Sequence, residues 1–372
     1  MSSSAQHHRW MAQALRLARK GFYSAHPNPR VGCVIVKNDV LLGEGWHQFT
    51  GGAHAEVNAI QSTVIPAGAD FYVTLEPCSH HGRTPPCVDA VIAARAARVI
   101  VAMQDPNPEV SGRGLEQLRK SGIEVISGVL ESEARQLNRG FIKRMQQQLP
   151  FVSIKMALSL DGRSALANGV SQWISGEAAR RDVQYLRAGA SAILSSAQTV
   201  LDDDPSLNTR LGSEELNQSL APRQPVRVLV DSQLRLSGKE KIFSTDGEIW
   251  IYSCSENEAV KRQLRDSGAQ VIDISATESG QVSLQAMLRD MAARGINDVH
   301  TECGPRLAGA LIDQQLADQL ILYLAPHLLG DQARGGFSLG ELTTMDRRKT
   351  CRICDIRQIG EDIRLTLNLE QE

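Results

Sequence analysis

The chain has 372 residues, of which 42% are apolar, 4% aromatic and 22% charged, and its formal net charge at pH 7 is −2. The length predicts two or three domains, and a polar N-terminus without a long apolar run predicts a cytoplasmic protein with no membrane span. The nearly balanced charge, with no dense block of lysine or arginine, is against a surface that binds a nucleic-acid backbone.

The first half of the chain is predicted to alternate helices and strands, which is typical of an α/β layer. The predicted elements are a helix over 7–20, strands over 31–36 and 40–46 joined at Asn38-Asp39, a helix over 55–61, a strand over 71–75, a helix from Pro86, a strand over 98–102, a helix over 112–121, a strand over 123–127 and a helix over 131–147. The polar run 144–148 is the expected domain boundary, which gives domains 1–148 and 149–372.

The first domain carries a candidate metal site. His54, Cys78 and Cys87 offer one imidazole and two thiols, and three protein ligands with one open position are typical of catalytic zinc. Glu56 lies close enough to His54 to take a proton from a zinc-bound water and pass it to a leaving amine. This His-x-Glu and Pro-Cys pattern indicates a zinc-dependent nucleobase deaminase.

Two observations leave the metal assignment open. The cysteine pair is spaced Cys-x8-Cys, whereas the general deaminase pattern is Cys-x2-Cys, and His80 and His81 are alternative ligands. The other interpretation is a set of buried thiols with a core histidine. Seven irregularly spaced cysteines nevertheless favour reduced thiols and a metal site over a disulfide framework.

The second half is predicted to be a second α/β domain. The predicted elements are a strand from 151 ending in an Asp-Gly turn at 161–162, a helix from a Ser175 cap to about Arg187, a strand over 191–195, a loop over 198–207, strands over 226–230, 248–253 and 270–274, helices over 256–266 and 283–294, a strand from 299 that leads into a Gly-Pro helix start, and antiparallel strands over 320–324 and 351–368.

No Gly-x-Gly-x-x-Gly motif follows a strand in this half, so the standard dinucleotide pattern is absent. The helix start at 304–310 offers free backbone N–H groups that can hold a phosphate, although most such starts bind nothing. Three successive aspartates at 202–204 fit a solvated turn, or a carboxylate that supplies a proton.

Five motifs occur together along nearly the whole chain: HPNPxVG at 26–32, HAE at 54–56, EPCSHxGRTPPC at 76–87, KMAxSLDG at 155–162 and TVxxDDPxL at 199–207. Together they resemble the bifunctional riboflavin-biosynthesis deaminase/reductase family. In that family Cys-x8-Cys is the usual form of the deaminase cysteine pair. The resemblance implies an N-terminal cytidine-deaminase-like α/β/α layer and a C-terminal dihydrofolate-reductase-like α/β domain.

The resemblance also implies two consecutive reactions. The first is hydrolysis of the 2-amino group of 2,5-diamino-6-(5-phosphoribosylamino)pyrimidin-4(3H)-one, and the second is reduction of its ribosyl group to ribityl with NADPH. The expected cofactors are therefore Zn2+ and NADPH. The expected partners are this small pyrimidine ribotide and further copies of the chain, as a dimer or tetramer, with no nucleic acid and no membrane.

Residue roles follow from the same resemblance. In the deaminase half, the zinc ligands and the acid/base are those named above, and the substrate contacts are Asn28, His47, His80 and Arg83. In the reductase half, Asp203 is the expected proton relay with Lys155 assisting. The residues expected to line NADPH are Ala157, Trp173, Thr199, Asp203, Ser232, Gly304, Pro305, Arg306, Leu307, Ala308, Gly309 and Ala310. Those expected to face the phosphoribosyl group are Ser171, Arg187, Leu207, Arg210 and Glu302.

Two residues depart from the expected pattern. Cys303 stands where a second small residue, commonly glycine, is expected after the glutamate, and Asp231 beside Ser232 would disfavour a 2′-phosphate if it pointed at the ribose. The NADPH preference is therefore implied by the resemblance alone. The alternative functions are a nucleic-acid base deaminase fused to an unrelated C-terminal domain, and a metal-stapled binding protein without catalysis.

Overall fold

The computed structural model describes residues 4–79, 85–108, 110–217 and 222–370. The chain divides into two compact units, Met1–Leu149 and Pro150–Glu372. Among the described residues, no helix combines the length and the apolar character that crossing a membrane requires.

The first unit is a five-stranded sheet between helices. Its elements are α1 (Ser4–Lys20), β1 (Gly32–Lys37), β2 (Val40–Trp46), α2 (Ala55–Gln61), β3 (Asp70–Val73), α3 (Cys87–Ala93), β4 (Arg98–Val101), α4 (Arg113–Lys120), β5 (Glu124–Ser127), α5 (Glu131–Leu137) and α6 (Arg139–Gln147). The strand order is β2-β1-β3-β4-β5, in which β3, β4 and β5 are parallel and β1 pairs antiparallel with both neighbours. The predicted hairpin at Asn38-Asp39 is confirmed, with φ of 51° and 64° at these two residues.

Both faces of this sheet are buried because alternate strand residues point to opposite sides. Ile35 and Phe71 pack with residues of α2, α3 and α4 in one core cluster. Val34 and Tyr72 pack with residues of α1, α5 and α6 in a second cluster. The predicted α/β/α layer is therefore confirmed for this unit.

The second unit contains a nine-stranded sheet. Its elements are β6 (Phe151–Ser159), β7 (Arg163–Ala165), α7 (Glu177–Gly189), β8 (Ala192–Ser196), α8 (Ala197–Asp203), β9 (Val226–Val230), β10 (Ile249–Ser253), α9 (Glu258–Asp266), β11 (Ala269–Asp273), α10 (Leu284–Ala293), β12 (Asp298–Glu302), α11 (Pro305–Asp313), β13 (Gln319–Ala325), β14 (Arg334–Gly335), β15 (Cys351–Ile359) and β16 (Asp362–Leu369). The strand order is β11-β10-β9-β8-β12-β6-β13-β16-β15, and β7 pairs separately with β14.

The direction of the strands sets where a ligand can bind in this unit. Within the nine-stranded sheet, all pairings from β11 to β13 are parallel, and β13-β16 and β16-β15 are antiparallel. The carboxyl ends of the seven parallel strands therefore lie along one edge of the sheet. In open α/β sheets this edge is where ligands bind.

Three sequence predictions about local structure were wrong. The helix expected over 131–147 is two helices, because Asn138 leaves the helix and its side chain bonds to the backbone of Arg30. The expected loop after β8 begins with α8, whose first turn is capped by the Ser196 hydroxyl. Helix α7 is capped at Gly176, which donates its N–H to Asp362 at 2.8 Å, so Ser175 is not the cap.

Candidate active sites

The three predicted zinc ligands lie together in the first unit. The ligand atoms of His54, Cys78 and Cys87 are all within 4.8 Å of one another. His54 is the N-cap of α2 and Cys87 is the first residue of α3, so two helix N-termini meet at the cluster. Nδ1 of His54 lies 3.0 Å from the Cys87 sulfur and 3.5 Å from the Cys78 sulfur.

These distances fit a zinc ion. Zinc–sulfur bonds of about 2.3 Å and zinc–nitrogen bonds of about 2.0 Å put ligand atoms about 3.5 Å apart on a tetrahedral ion. Since Nδ1 of His54 faces both sulfurs, it is the nitrogen suited to bind the metal. The alternative ligands His80 and His81, and the predicted substrate contact Arg83, lie outside the described residues.

The electrostatics of the cluster favour one charged sulfur beside a carboxyl group whose pKa is near neutrality. A hydrogen bond from the Cys87 thiol lowers the pKa of Cys78 to about 4 and raises the pKa of Cys87, so the two thiols ionise one at a time. Glu56 is 3% exposed, and its burial raises the pKa of its carboxyl to about 7. A carboxyl group with that pKa can both accept and release a proton at neutral pH.

Asn28 and His47, two predicted pyrimidine contacts, are hydrogen-bonded to each other. Nδ1 of His47 lies 3.1 Å from the carbonyl oxygen of Ala53 and must donate, so Nε2 accepts from the Asn28 amide at 3.1 Å. Burial lowers the pKa of His47, which favours this neutral imidazole. Its ring centroid lies 5.7 Å from that of His54, so the pair borders the metal ligands.

Glu76, which precedes the Pro77-Cys78 ligand segment, is a residue whose role the sequence analysis missed. Its buried carboxylate accepts four backbone N–H groups, two at each oxygen. The donors are Asp105 and Gly112 at 3.0 and 2.9 Å, and Gly114 and Leu115 at 2.9 and 3.3 Å. These bonds tie the ligand segment to the N-terminus of α4. The only sequence signal was the place of the glutamate inside the Glu-Pro-Cys motif.

In the second unit, the predicted cofactor residues gather at the carboxyl edge of the parallel strands. Thr199 follows β8, Ser232 follows β9 and Gly304 follows β12, and these three strands are neighbours in the sheet. The Gly304 N–H donates to the Thr199 hydroxyl at 3.3 Å, which joins the starts of α8 and α11. The predicted Gly-Pro helix start is confirmed, because Gly304 is the N-cap of α11 and Pro305 opens the helix.

This helix start is open enough for a phosphate. A Cβ built at Gly304 would meet nothing within 4 Å, and the helix supplies free N–H groups there. Ala308 and Gly309 are buried one turn further along, and a Cβ at Gly309 would lie 2.0 Å from the Ser338 carbonyl oxygen. Gly309 therefore permits close packing within the fold, while the first residues of α11 are the ones available to a ligand.

The other residues predicted to line NADPH differ in their burial and contacts. Ala157 lies within β6, next to the strand that delivers Gly304. Trp173 is 70% exposed, and the Arg180 guanidinium stacks 4.5 Å above its ring. Arg306 is exposed on α11, whereas Leu307 and Ala310 are partly buried. The Ser232 hydroxyl accepts from the Val282 N–H at 3.0 Å, so it also holds the segment before α10.

A charged cluster lies beside this edge. Arg187 of α7 and Glu302 of β12 form a two-fold ion pair, with N···O distances of 2.5 and 2.9 Å, and their side chains are 13% and 15% exposed. Lys155 pairs with Glu302 in the register of β6 and β12. Burial lowers the pKa of Lys155, against the opposing charge of Glu302.

Asp203 lies at the end of α8, where its carboxylate accepts from the Ser171 hydroxyl at 3.4 Å. Burial, followed by the neighbouring Asp202 charge, raises the pKa of Asp203. The structure thus pairs Asp203 with Ser171, and it places Lys155 next to Glu302.

The predicted phosphoribosyl contacts are tied to the same cluster by backbone groups. Arg187 donates to the Asn208 carbonyl oxygen at 3.0 Å, immediately after the buried Leu207. The backbone N–H of Arg210 is held by Gln184 at 3.0 Å, and the Arg210 side chain is exposed. Segment 207–210 is therefore anchored to α7 beside Arg187.

Asp231 does not point at a ribose. It is 1% exposed, and its carboxylate accepts the Leu236 N–H at 3.0 Å within its own turn. The conflict with a 2′-phosphate that the sequence raised is thereby removed. Cys303 is a small, partly buried residue whose thiol pKa is raised by burial to about 12, so it remains an uncharged neighbour of Gly304.

Comparisons with known proteins match a family model to each half of the chain. Residues 4–103 match the model described as the cytidine and deoxycytidylate deaminase zinc-binding region, and residues 150–365 match the RibD C-terminal domain. The Escherichia coli riboflavin biosynthesis protein RibD is 47% identical over 364 residues, which cover 96% of this chain and 98% of that protein. The Haemophilus influenzae RibD is 45% identical and covers 96% of each chain.

The chain belongs to the RibD family.

Solved structures extend the match to the fold. Acinetobacter baumannii RibD superposes with a TM-score of 0.90 at 40% identity, covering 99% of this chain and 100% of that one. A Thermotoga maritima diaminohydroxyphosphoribosylaminopyrimidine deaminase/5-amino-6-(5-phosphoribosylamino)uracil reductase superposes with a TM-score of 0.87 at 33% identity, covering 99% of both chains.

RibD membership confirms several sequence predictions. The chain is a bifunctional deaminase and reductase of riboflavin biosynthesis, with a deaminase-like N-terminal half and a reductase C-terminal half. Zinc and NADPH are its cofactors, and His54, Cys78 and Cys87 form a His/Cys/Cys cluster that could hold a metal ion. Its substrate is a small molecule.

Near Lys155 lies a cluster of three further polar residues, Tyr323, Asp182 and Arg364, that the sequence did not indicate. Lys155 Nζ lies 5.7 Å from the ring centroid of Tyr323, whose hydroxyl donates to Asp182 at 2.5 Å. Arg364 donates to the same carboxylate at 2.6 Å. These residues lie on three strands and on helix α7 and are far apart in the chain, so no local sequence pattern could have indicated their contact.

Proposed function

We propose that residues 1–148 remove the 2-amino group of 2,5-diamino-6-(5-phosphoribosylamino)pyrimidin-4(3H)-one, and that residues 149–372 then reduce the ribosyl group to ribityl with NADPH. The observation that carries this proposal is the His54, Cys78 and Cys87 cluster with the buried Glu56 beside it. Membership of the RibD family supports the order of the two steps.

In the deaminase half, His54, Cys78 and Cys87 would hold zinc, which as a Lewis acid lowers the pKa of a coordinated water. Glu56 takes the proton of the attacking water and returns it to the departing amino nitrogen. A C–O bond forms at C2 of the pyrimidine, the C–N bond breaks, and ammonia leaves. Asn28, His47, His80 and Arg83 orient the ribotide, the first two as one hydrogen-bonded pair.

In the reductase half, bound NADPH would supply a hydride to C1′ of the opened sugar imine. The first residues of α11, with Thr199 and Ser232, would hold the cofactor at the carboxyl edge of the sheet. Arg187, Glu302 and the 207–210 segment orient the phosphoribosyl group. Asp203 relays the proton that the imine nitrogen receives, and the charge of Lys155 assists.

The proposal also covers location and assembly. A small, diffusible substrate and coenzyme favour a cytoplasmic enzyme, and the net charge of −2 is against binding to nucleic acid. The protein acts as a homo-oligomer, a dimer or a tetramer. Light scattering coupled to size-exclusion chromatography tests this assembly, and a monomeric mass at working concentration would contradict it.

The decisive experiment is an absorbance assay at about 340 nm, the wavelength at which NADPH absorbs, with the purified protein and the diaminopyrimidine ribotide. We expect NADPH consumption that a zinc chelator stops. The chelated protein should still oxidise NADPH when the deaminated intermediate is supplied. Absence of NADPH oxidation with that intermediate would overturn the reductase assignment and leave the deaminase assignment standing.

A further inference from the structure

Asn138 occupies an unusual place between two helices. Helix α5 ends at Leu137 and α6 begins at Arg139, and the intervening Asn138 is 1% exposed with φ of −114°. An asparagine in a continuous helix would be exposed or bonded within its own turn. Here the side chain leaves the helical path and turns into the fold.

The Asn138 amide pairs with both polar groups of one distant residue. Its Oδ1 accepts the backbone N–H of Arg30 at 2.8 Å, and its Nδ2 donates to the Arg30 carbonyl oxygen at 3.0 Å. The Arg30 guanidinium donates in turn to the Leu137 carbonyl oxygen at 2.8 Å, at the end of α5. The Asn138 side-chain amide therefore satisfies both the N–H and the C=O of Arg30, as a neighbouring β-strand would.

These contacts lie next to a predicted substrate contact. Asn28 is two residues before Arg30, and on its other side the Pro27 carbonyl oxygen accepts from Arg144 of α6 at 3.3 Å. The α5-α6 pair thus holds the chain on both sides of Asn28. The Asn28 amide meets Nε2 of His47, which borders the zinc ligands.

We infer that Asn138 is a positioning residue for deamination, which fixes Asn28 at the distance and angle needed to bind the pyrimidine ring. This inference rests on the proposed role of Asn28. Helices α5 and α6 lie beyond residues 4–103, the part that matches the deaminase zinc-binding region. The pair acts on the segment around Asn28 through its bonds to the backbone of Arg30 and Pro27.

The test is Asn138→Ala in the full chain, assayed with the diaminopyrimidine ribotide. We expect the deaminase KM to rise about tenfold with kcat within about twofold, because an orienting contact that is equally strong in ground and transition states acts on KM. Zinc content and reduction of the supplied deaminated intermediate should match those of the wild type. Glu131→Ala is the matched control, since it removes an exposed pair with Arg135 on the same helix and should change neither constant.

A double-mutant cycle with Asn28→Ala separates positioning from general support of the fold. If Asn138 acts through Asn28, Asn138→Ala adds no further loss once Asn28→Ala is present. Losses that add in full, or a fall in zinc content or reductase rate, would overturn the inference. Asn138→Asp keeps the acceptor for the Arg30 N–H, and the same cycle is run with it if the alanine variant does not fold.

The two proposals fail in different ways. If the wild-type protein does not deaminate the ribotide, the proposed function is wrong. If the wild type deaminates it and Asn138→Ala has a wild-type KM, only the role of Asn138 is wrong.

Discussion

Glu56 in the first unit and Glu302 in the second are both largely removed from solvent, and their pKa values are shifted in opposite directions. Glu56 is 3% exposed, and burial raises its pKa to about 7. Burial acts in the same direction on Glu302, but the charge of Arg187, followed by its hydrogen bonds, holds the pKa of Glu302 well below the usual value. The difference comes chiefly from the Arg187 guanidinium, with a smaller contribution from His300.

This contrast separates two uses of a buried carboxyl group. A pKa near 7 lets Glu56 gain and lose a proton within one catalytic cycle at neutral pH. Glu302 stays ionised throughout the physiological range, so it serves as a fixed charge that orients Arg187 and faces Lys155. The proposed deamination uses the first kind of group, and the proposed placement of the substrate for reduction uses the second.

The largest expected effect tests the first half of the contrast. Glu56→Gln keeps the size of the side chain and removes its ability to carry a proton, so we expect the deaminase kcat to fall about 10²- to 10⁴-fold. Because the three metal ligands are unchanged, zinc content measured by atomic absorption should stay at the wild-type level. Reduction of the supplied deaminated intermediate is the internal control. An equal loss of both activities would refute independent sites.

Glu302→Gln tests the role of Glu302 as a fixed charge, because it leaves the Arg187 guanidinium buried without its counter-charge. Removing one partner of a buried pair costs about 3–5 kcal/mol, and we expect the free energy of unfolding of the second unit to fall by that order. The reductase kcat/KM should fall on the order of 10²-fold because Arg187 loses its orientation. Urea denaturation at pH 7 and NADPH oxidation measure the two effects.

The pH dependence of this loss has a definite sign. Since the pKa of Glu302 is lower in the folded than in the unfolded protein, its stabilisation is complete above the unfolded value of about 4.3 and is lost as pH falls through the folded pKa. The gap between wild type and Glu302→Gln should therefore be constant near neutrality and shrink in acid. Glu248→Gln, which alters an exposed pair with Arg223, is the control. A gap that widens in acid would contradict the ion-pair account.

Lys155→Met should separate activity from stability. We expect the reductase rate to fall on the order of 10²-fold through loss of the assisting charge. The free energy of unfolding should rise at pH 7, because burial lowers the pKa of Lys155 and the folded protein disfavours its charge. That penalty disappears as pH approaches the unfolded lysine value of about 10.4, so the advantage of the variant should shrink there. A less stable variant at pH 7 would show that the contact with Tyr323 outweighs burial.

The metal site could be predicted from sequence because short spacings fix its geometry. His54 and Glu56 lie at the start of one short helix, and Cys87, nine positions after Cys78, opens another, so each half of the ligand set forms a recognisable local pattern. Arg187 and Glu302 are 115 positions apart and meet only through the order of β8, β12 and β6. No local pattern encodes strand order, so that cluster was expected only by family resemblance.

Local propensity failed where tertiary contacts outweighed it. Asp202 and Asp203 at the end of α8 oppose the helix dipole and favoured a loop prediction. The Ser196 cap and the buried Val200 stabilise the helix despite them. At Asn138 the prediction failed in the other direction, because a continuous helix was expected and the structure has two. The hydrogen bonds of the Asn138 side chain to the Arg30 backbone stabilise the break between α5 and α6.

The smallest expected effect concerns the buried carboxylate of Asp231, which lies near the proposed cofactor site without contacting the cofactor. Asp231→Asn removes a negative charge beside Ser232, yet the ratio of kcat/KM for NADPH and NADH should change by less than about twofold. The Asp231 carboxylate is 1% exposed and caps the Leu236 N–H at 3.0 Å, and an asparagine oxygen can keep that bond. Kinetics with both coenzymes measure the ratio, and the melting temperature controls for folding. A tenfold gain in NADPH preference would show that this charge reaches the ribose, and would extend to Asp231 the electrostatic role that the structure gives to Glu302.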